Sequence, residues 1–273
     1  MVVNPYLIAL DLDGTLLTSN KTIDRQTAAY LRKLSKQHII VLATGRPFRS
    51  AKKYYDQLQL ITPIVCYNGA FVTHPHDPSF PERAFAFPQH IVKAIATDVG
   101  DAMIDNIMCE TNDTIWLLKE ESGLEDFFWH KGMHMVYGPL QQTLTTHPMT
   151  MIMKSRQRDD QSDKVIVDAV QKHPGLSIRF WGDSPYSEIY FDELSKGSAL
   201  ISLLEHLHIP QDRWIAFGDA ENDREMLTLA PHSYAMMNAI DSIKKTAKYV
   251  TRFDNNHHAI KETLQTFFNQ LID

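Results

Sequence analysis

Cysteine is nearly absent from the 273 residues. Cys66 and Cys109 are the two present, and their separation matches no metal-ligand spacing. That excludes a disulfide-stapled scaffold and a cysteine zinc site, and leaves two small buried hydrophobes in a reducing compartment. Excess positive charge is also missing. Lys and Arg number 27 against 33 Asp and Glu, for a net charge of −6, which argues against nucleic acid or an anionic membrane as a partner. No apolar run approaches the roughly 20 residues that span a bilayer. The amino terminus shows no basic segment followed by a long apolar one. The expectation is a cytoplasmic protein with neither nucleic acid nor membrane as partner. There is no internal repeat and no low-complexity segment. The remainder is ordinary for a globular chain, 44% hydrophobic and 22% charged, and its length fits two domains or one domain with a large insertion.

What is present begins almost at once. Tyr6-Leu7-Ile8-Ala9-Leu10 is an apolar run that ends in Asp11-Leu12-Asp13-Gly14-Thr15-Leu16. A short bounded apolar run after Pro5 reads as a buried strand. A buried strand that ends in carboxylates delivers them to the rim of a sheet, and in open α/β sheets ligands bind at that rim.

The pattern then repeats. Thr22-Ile23-Asp24 caps an expected helix reaching about Lys36. Ile39–Ala43 is a second buried strand ending in Thr44-Gly45-Arg46-Pro47, with Pro47 opening a helix toward Leu58. A third strand, Ile64–Tyr67, ends in Asn68-Gly69-Ala70. Strand, helix, strand, helix, strand with right-handed crossovers predicts a parallel sheet. His74–Pro81 is proline-rich and reads as an exposed loop rather than a metal site. From 84 to 189 the patterning changes to an α+β mixture whose aromatics, Trp116, Phe127, Phe128, Trp129 and Trp181 among them, read as core. From 190 the first pattern resumes with Lys196-Gly197, the strand Trp214–Phe217, and Gly218-Asp219-Ala220-Glu221-Asn222-Asp223. The fold class is therefore α/β, a parallel-sheet core of residues 1–83 and 190–273 with an inserted α+β domain at 84–189.

A parallel sheet puts Asp11, Asp13, Thr44, Lys196, Asp219, Asn222 and Asp223 on one rim. Carboxylates gathered there repel one another, and the usual remedy is a hard cation. Oxygen-only ligands suggest Mg²⁺. A lysine and a threonine hydroxyl beside it make a phosphate seat. With a turn at Gly14, Asp11 is placed to attack phosphorus and Asp13 to protonate the leaving oxygen and then deprotonate water. An EF-type calcium loop does not fit, because Thr15 is not its third ligand and no glutamate closes it.

These residues resemble a known set. Asp11-Leu12-Asp13-Gly14-Thr15-Leu16, Thr44-Gly45-Arg46, Lys196-Gly197 and Gly218-Asp219-x-x-Asn222-Asp223 are similar, in order, to the four motifs of the haloacid-dehalogenase-like hydrolases. Asn68-Gly69-Ala70 and Ala235-Met236-x-Asn238-Ala239 resemble accessory signatures of the Cof-type phosphatase branch, whose cap falls where the insertion lies. The resemblance implies a Rossmann-like core and a Mg²⁺-dependent phosphatase acting on small phosphorylated metabolites, with sugar phosphates foremost. It implies a metal held by Asp11, the backbone carbonyl of Asp13, and Asp219. Phosphate would meet the Leu12 amide, Thr44, Gly45, Lys196 and Asn222, with Asp223 behind them, and Arg46 is left open to phosphate or cap. Met237, Tyr190–Glu193 and Asn255-Asn256-His257-His258 depart from the pattern without removing a catalytic group. Turnover would pass through an aspartyl-phosphate on Asp11; a phosphotransferase or mutase using that same intermediate, and a phospho-ligand-binding regulator with little turnover, are the alternatives. Nothing in the pattern speaks to oligomeric state.

Overall fold

A computed structural model describes residues 5–123 and 129–271. By internal contacts the chain divides into two compact units, residues 1–83 with 195–273, and residues 84–194. The strand Tyr186–Phe191 pairs within the sheet of the second unit, so the chain re-enters the first unit after Leu194 rather than at residue 190.

Strand β1 (Leu7–Leu10) is buried along its whole length. Helix α1 (Arg25–Leu34) starts at Asp24, whose side chain accepts from the Thr27 amide at 2.8 Å, and buries Ala28, Leu31 and Leu34. That spacing is one helical stripe. Then come β2 (Ile39–Leu42) and α2 (Phe48–Gln57). Strand β3 (Ile64–Cys66) departs from expectation. It pairs antiparallel with β4 (Phe71–Thr73), and these two with β5 (Arg83–Ala84) form a separate three-stranded sheet. Only a parallel bridge between Ala43 and Val65 ties β3 to β2. The reason is local. After β3 the chain reverses in Tyr67–Gly69, so the nearest edge for β3 is its own successor.

The second unit carries α3 (Gln89–Val99), β6 (Ile104–Glu110), β7 (Thr114–Leu117), β8 (His134–Tyr137), α4 (Leu140–Thr143), β9 (Thr150–Ser155), α5 (Asp160–Gln171), β10 (Leu176–Phe180) and β11 (Tyr186–Phe191). Its six-stranded sheet runs β10-β11-β9-β6-β7-β8 and is antiparallel except between β7 and β8. Residues two apart share a face of a strand. Accordingly Ile107, Cys109, Trp116, Met151 and Met153 pack with Val92, Ile95, Ile166 and Val170 of the helices. Met108, Ile115, Leu117 and Ile152 form a smaller cluster on the other face, with Trp181 packed against it. Trp116 is thus core, as read from the sequence; Phe127 and Phe128 lie outside the described residues.

The return to the first unit brings α6 (Lys196–His206), β12 (Trp214–Gly218), α7 (Arg224–Leu229), β13 (His232–Ala235), α8 (Asp241–Thr246), β14 (Tyr249–Val250) and α9 (Ala259–Gln270). The main sheet is wholly parallel, in the order β14-β13-β12-β1-β2. Its strands LIAL, IIVL and WIAFG read as unbroken apolar runs because both of their faces are covered. Each fully buried Leu, Ile or Phe there contributes about 1.5–3 kcal/mol. All strands point the same way, so the carboxyl ends of β1, β2 and β12 share one rim. Among the described residues no helix is long and apolar enough to cross a membrane.

Candidate active site

Two turns build the site. After β1 the chain bends at Gly14, whose φ of +79° is strained for any L side chain. A Cβ there would also stand 2.2 Å from Asp219 Oδ2, so the glycine both makes the turn and admits the second acidic loop. At the end of β12, Gly218 serves closeness alone: a Cβ on it would meet the Asp223 Cβ at 2.5 Å.

The Gly14 turn gives the first two acids different company. Asp11 Oδ1 accepts from Lys196 Nζ at 2.5 Å, deep in the protein. Asp13 is gripped from the other side. Arg46 Nε and Nη2 donate to its two oxygens at 2.5 and 2.7 Å, and Lys21 Nζ donates at 2.7 Å. Arg46 holds Asp13 in a two-pronged pair, the geometry guanidinium favours.

Lys196 is fully buried at the first turn of α6. Ser195 and Ser198 cap that helix reciprocally, Ser195 accepting from the Ser198 amide at 3.0 Å. The Lys196 ammonium is shared between Asp11 and Asp223, whose Oδ1 lies 2.7 Å away. The other Asp223 oxygen accepts from the amides of Asp219 and Ala220 at 2.9 and 3.1 Å. Asp223 therefore ties the β12 loop to the lysine. Asp219 in turn accepts from Thr15 Oγ1 at 2.6 Å.

Charge is crowded here. Burial pushes the Asp11 carboxyl well above its ordinary value; Lys196 opposes this, and Asp223 and Asp219 add to it. Burial and then the neighbouring Asp223 raise Asp219 to about 6, against the Thr15 hydrogen bond. For Lys196, burial works against the ammonium, but Asp11 and Asp223 outweigh it and hold the proton on. Burial would raise Asp13 as well, yet the bonds from Arg46 and Lys21 bring it down to about 2. Asp11, Asp219 and Asp223 each offer an oxygen, and all three lie within 4.8 Å of one another. Three such acids around one lysine form an oxygen-only donor set short of positive charge, which fits a hard divalent cation. The carboxylate of Asp13 is not in this group; the ligand expected from Asp13 was its backbone carbonyl.

The remaining expected residues surround this cluster. Thr44 is buried, and its Oγ1 accepts from the Arg46 amide at 3.1 Å, which leaves the hydroxyl proton to donate. Leu12 turns its side chain into the core, so a ligand contact from it is restricted to the backbone. Asn222 donates Nδ2 to Asn68 Oδ1 at 2.9 Å. Sequence reasoning missed several supports. Asn238 donates to the Gly14 carbonyl at 2.8 Å and accepts from the Asn255 amide at 3.0 Å. Asn255 donates to the Leu17 carbonyl at 2.7 Å, and Asn256 accepts from the Ser19 amide at 2.9 Å. The asparagines that looked like a departure at the pocket mouth therefore stitch the loop after Asp13 to the carboxyl-terminal part of the core. Their signal was the asparagine pair itself, a type that bonds backbone in turns.

A parallel α/β core whose rim gathers three carboxylates around a buried lysine has the charges that hydrolysis of an anionic ester beside a cation would use. Residues 8–264 match the sequence model described as haloacid dehalogenase-like hydrolase. The chain belongs to this family, in its Cof-type phosphatase branch, as a phosphoric monoester hydrolase. It is similar to a 5-amino-6-(5-phospho-D-ribitylamino)uracil phosphatase, YitU, of Bacillus subtilis, at 32% identity over 98% of this chain and 100% of that one. It is also similar to the pyridoxal phosphate phosphatase YbhA of Escherichia coli, at 26% over 89% and 92%. The crystal structure of a haloacid dehalogenase-like hydrolase from Bacteroides thetaiotaomicron shares the fold, with a TM-score of 0.81 at 22% identity, covering 97% of this chain and 100% of that one.

Proposed function

We propose that the chain is a Mg²⁺-dependent phosphatase that hydrolyses phosphate monoesters of small metabolites, sugar and sugar-alcohol phosphates foremost, through an aspartyl-phosphate on Asp11. The observation that carries this reading is the placement of Asp11: its carboxylate shares the buried Lys196 with Asp223 and stands in the three-acid group. The phosphoribitylamino compound named for the relative at 32% identity is a sugar-alcohol phosphate, and it is the first substrate to test.

In this reading Asp11, Asp219 and the Asp13 carbonyl hold Mg²⁺, with Asp223 steadying Lys196 and the β12 loop behind them. The cation would offset the charge of the phosphate and of the crowded acids. An Asp11 oxygen bonds to phosphorus as the ester P–O bond breaks, and the departing alkoxide takes a proton from Asp13. A water then gives its proton to Asp13 and attacks phosphorus, freeing orthophosphate and restoring Asp11. Thr44, the amides of Leu12 and Gly45, Lys196 and Asn222 bind the phosphoryl oxygens. The resting charge of Asp13 suits its base role. For its acid role Asp13 takes up one proton from solvent as the ester binds, against the pull of Arg46 and Lys21, and the proton it later accepts from water returns to solvent and restores the charged carboxylate. Phosphate release over a panel of sugar phosphates, sugar-alcohol phosphates and phosphorylated cofactors, with Mg²⁺ and with chelator, tests the reading. Release that needs Mg²⁺ and disappears in Asp11→Asn is expected; an Asp11→Asn protein that still turns over overturns it.

A further inference from the structure

Asn68 was noticed in the sequence only as part of an accessory signature, and no step above uses it. Its setting is unusual. Tyr67, Asn68 and Gly69 follow one another at φ values of +48°, +54° and +106°. Consecutive left-handed residues are costly outside glycine, although asparagine tolerates the region best of the others. Such a run persists only where the surroundings determine it, and here they do so from three sides. The Asn68 and Tyr67 amides donate to the carbonyls of Thr44 and Arg46 at 3.0 and 3.3 Å. Gly69 lies so close to the start of α6 that a Cβ on it would stand 2.3 Å from the Ser195 carbonyl oxygen. The Asn68 side chain reaches the third side, accepting from Asn222 Nδ2 at 2.9 Å.

The same side chain explains a glycine. A Cβ on Gly45 would stand 3.1 Å from Asn68 Oδ1 and 3.3 Å from Asn68 Nδ2. The Asn68 amide therefore packs on the bare backbone of Gly45 while it holds the side chain of Asn222. Gly45 and Asn222 come from loops far apart in sequence, after β2 and after β12, and Asn68, in the turn after β3, touches both.

We propose that Asn68 is a positioning residue of the phosphate seat, which, packed on the Gly45 backbone, aims the Asn222 side-chain amide so that its free N–H is presented to the phosphoryl group that Gly45 meets. A primary amide has two N–H donors on a plane that rotates with its side chain. Giving one of them to Asn68 fixes that plane and so fixes the direction of the other. This rests on the phosphatase reading, in which Thr44, Gly45 and Asn222 bind the phosphate.

The test is a double-mutant cycle between Asn68→Gly and Asn222→Ala. Glycine accepts the left-handed backbone, so the first change removes the side chain and keeps the turn. KM and kcat are measured on a phosphate ester that the wild type hydrolyses, and the Kd of orthophosphate is measured by calorimetry with Mg²⁺ present. Asn68→Gly is expected to raise KM and Kd by roughly three- to tenfold, the range of one hydrogen bond. Made on top of Asn222→Ala, it is expected to add less than about a twofold change, because its effect runs through Asn222. An equal loss in both backgrounds is the signature of a merely structural side chain and overturns the proposal, as does no loss in the wild-type background. In the intact wild-type protein, the Asn222 side-chain amide is expected to give two separate proton resonances, one of them slow to exchange with solvent; a freely exchanging pair overturns the proposal without recourse to any variant. A wild type that hydrolyses esters while Asn68→Gly is unaffected defeats this inference alone. A wild type that neither hydrolyses them nor binds orthophosphate defeats the phosphatase reading and this inference with it.

Discussion

The protonation of the acidic cluster should make the stability of the metal-free core fall as pH rises, and Mg²⁺ should reverse that fall. Asp219 sits at about 6 in the folded protein against an ordinary 3.8. Below about pH 4 the carboxyl is protonated in both states and contributes no difference. Between about 4 and 6 the unfolded chain gives up its proton while the folded one retains it. Stability then declines with pH, by about 3 kcal/mol for this group alone. Asp11, also raised, acts in the same direction. A cation bound by the ionised acids removes the cause. At a free concentration one hundred times its Kd it adds about 2.7 kcal/mol, and it adds almost nothing where protons already occupy the site. The assay is urea unfolding from pH 4 to pH 8, in chelator and in Mg²⁺, with the core followed separately. Trp214 is the single tryptophan of the first unit, so replacing Trp116, Trp129 and Trp181 by Phe leaves a reporter buried in β12. The difference between the Mg²⁺ and chelator curves cancels titrations elsewhere. A difference that is the same at pH 4 and pH 8 refutes the reasoning.

Three further changes follow from the same contacts. Lys196→Met leaves Asp11 and Asp223 buried with no counter-charge and should cost about 3–5 kcal/mol at neutral pH; urea unfolding checks it, and the loss should shrink as pH falls and Asp11, whose carboxyl burial raises, takes up a proton. Gly14→Ala places a methyl against Asp219 at a positive φ and should cost about 1–3 kcal/mol while abolishing the stabilisation by Mg²⁺, which a melting series with added cation measures. In the second unit Lys154 bonds Glu121 at 2.6 Å and Asp105 at 2.9 Å, and bonds from Lys119 and Lys154 hold the Asp105 carboxyl down to about 2. A depressed carboxyl stabilises the fold above about pH 4 and loses that contribution as pH falls toward 2, so Lys154→Met should destabilise by about 1 kcal/mol at pH 7 and by almost nothing near pH 2, as seen by acid unfolding.

Much of the fold was open to a reading of local pattern. Strands buried on both faces are written as continuous apolar runs, and their carboxyl ends are marked where those runs stop at Asp11, Thr44 and Gly218. The strand Ile64–Cys66 misled because an apolar run reports burial and says nothing about its partner; the reversal at Tyr67–Gly69 supplied an antiparallel one. In the second unit, β6, β8 and β11 were harder to read, since a sheet with an uneven second face lacks a clean alternation.

The order of the strands, the loops that follow them and the acids those loops carry are properties of the sequence alone, because chain connectivity and burial suffice to put Asp11, Thr44 and Asp219 at strand ends. Their partners are not local. Arg46 is 33 residues from Asp13, Lys196 is 185 from Asp11, and Asn68 is 154 from Asn222. Only the folded chain decides that one buried ammonium serves two carboxylates, or that the Arg46 guanidinium holds Asp13. Each of those pairings depends on distance and desolvation, which exist only once the sheet has brought its loops together.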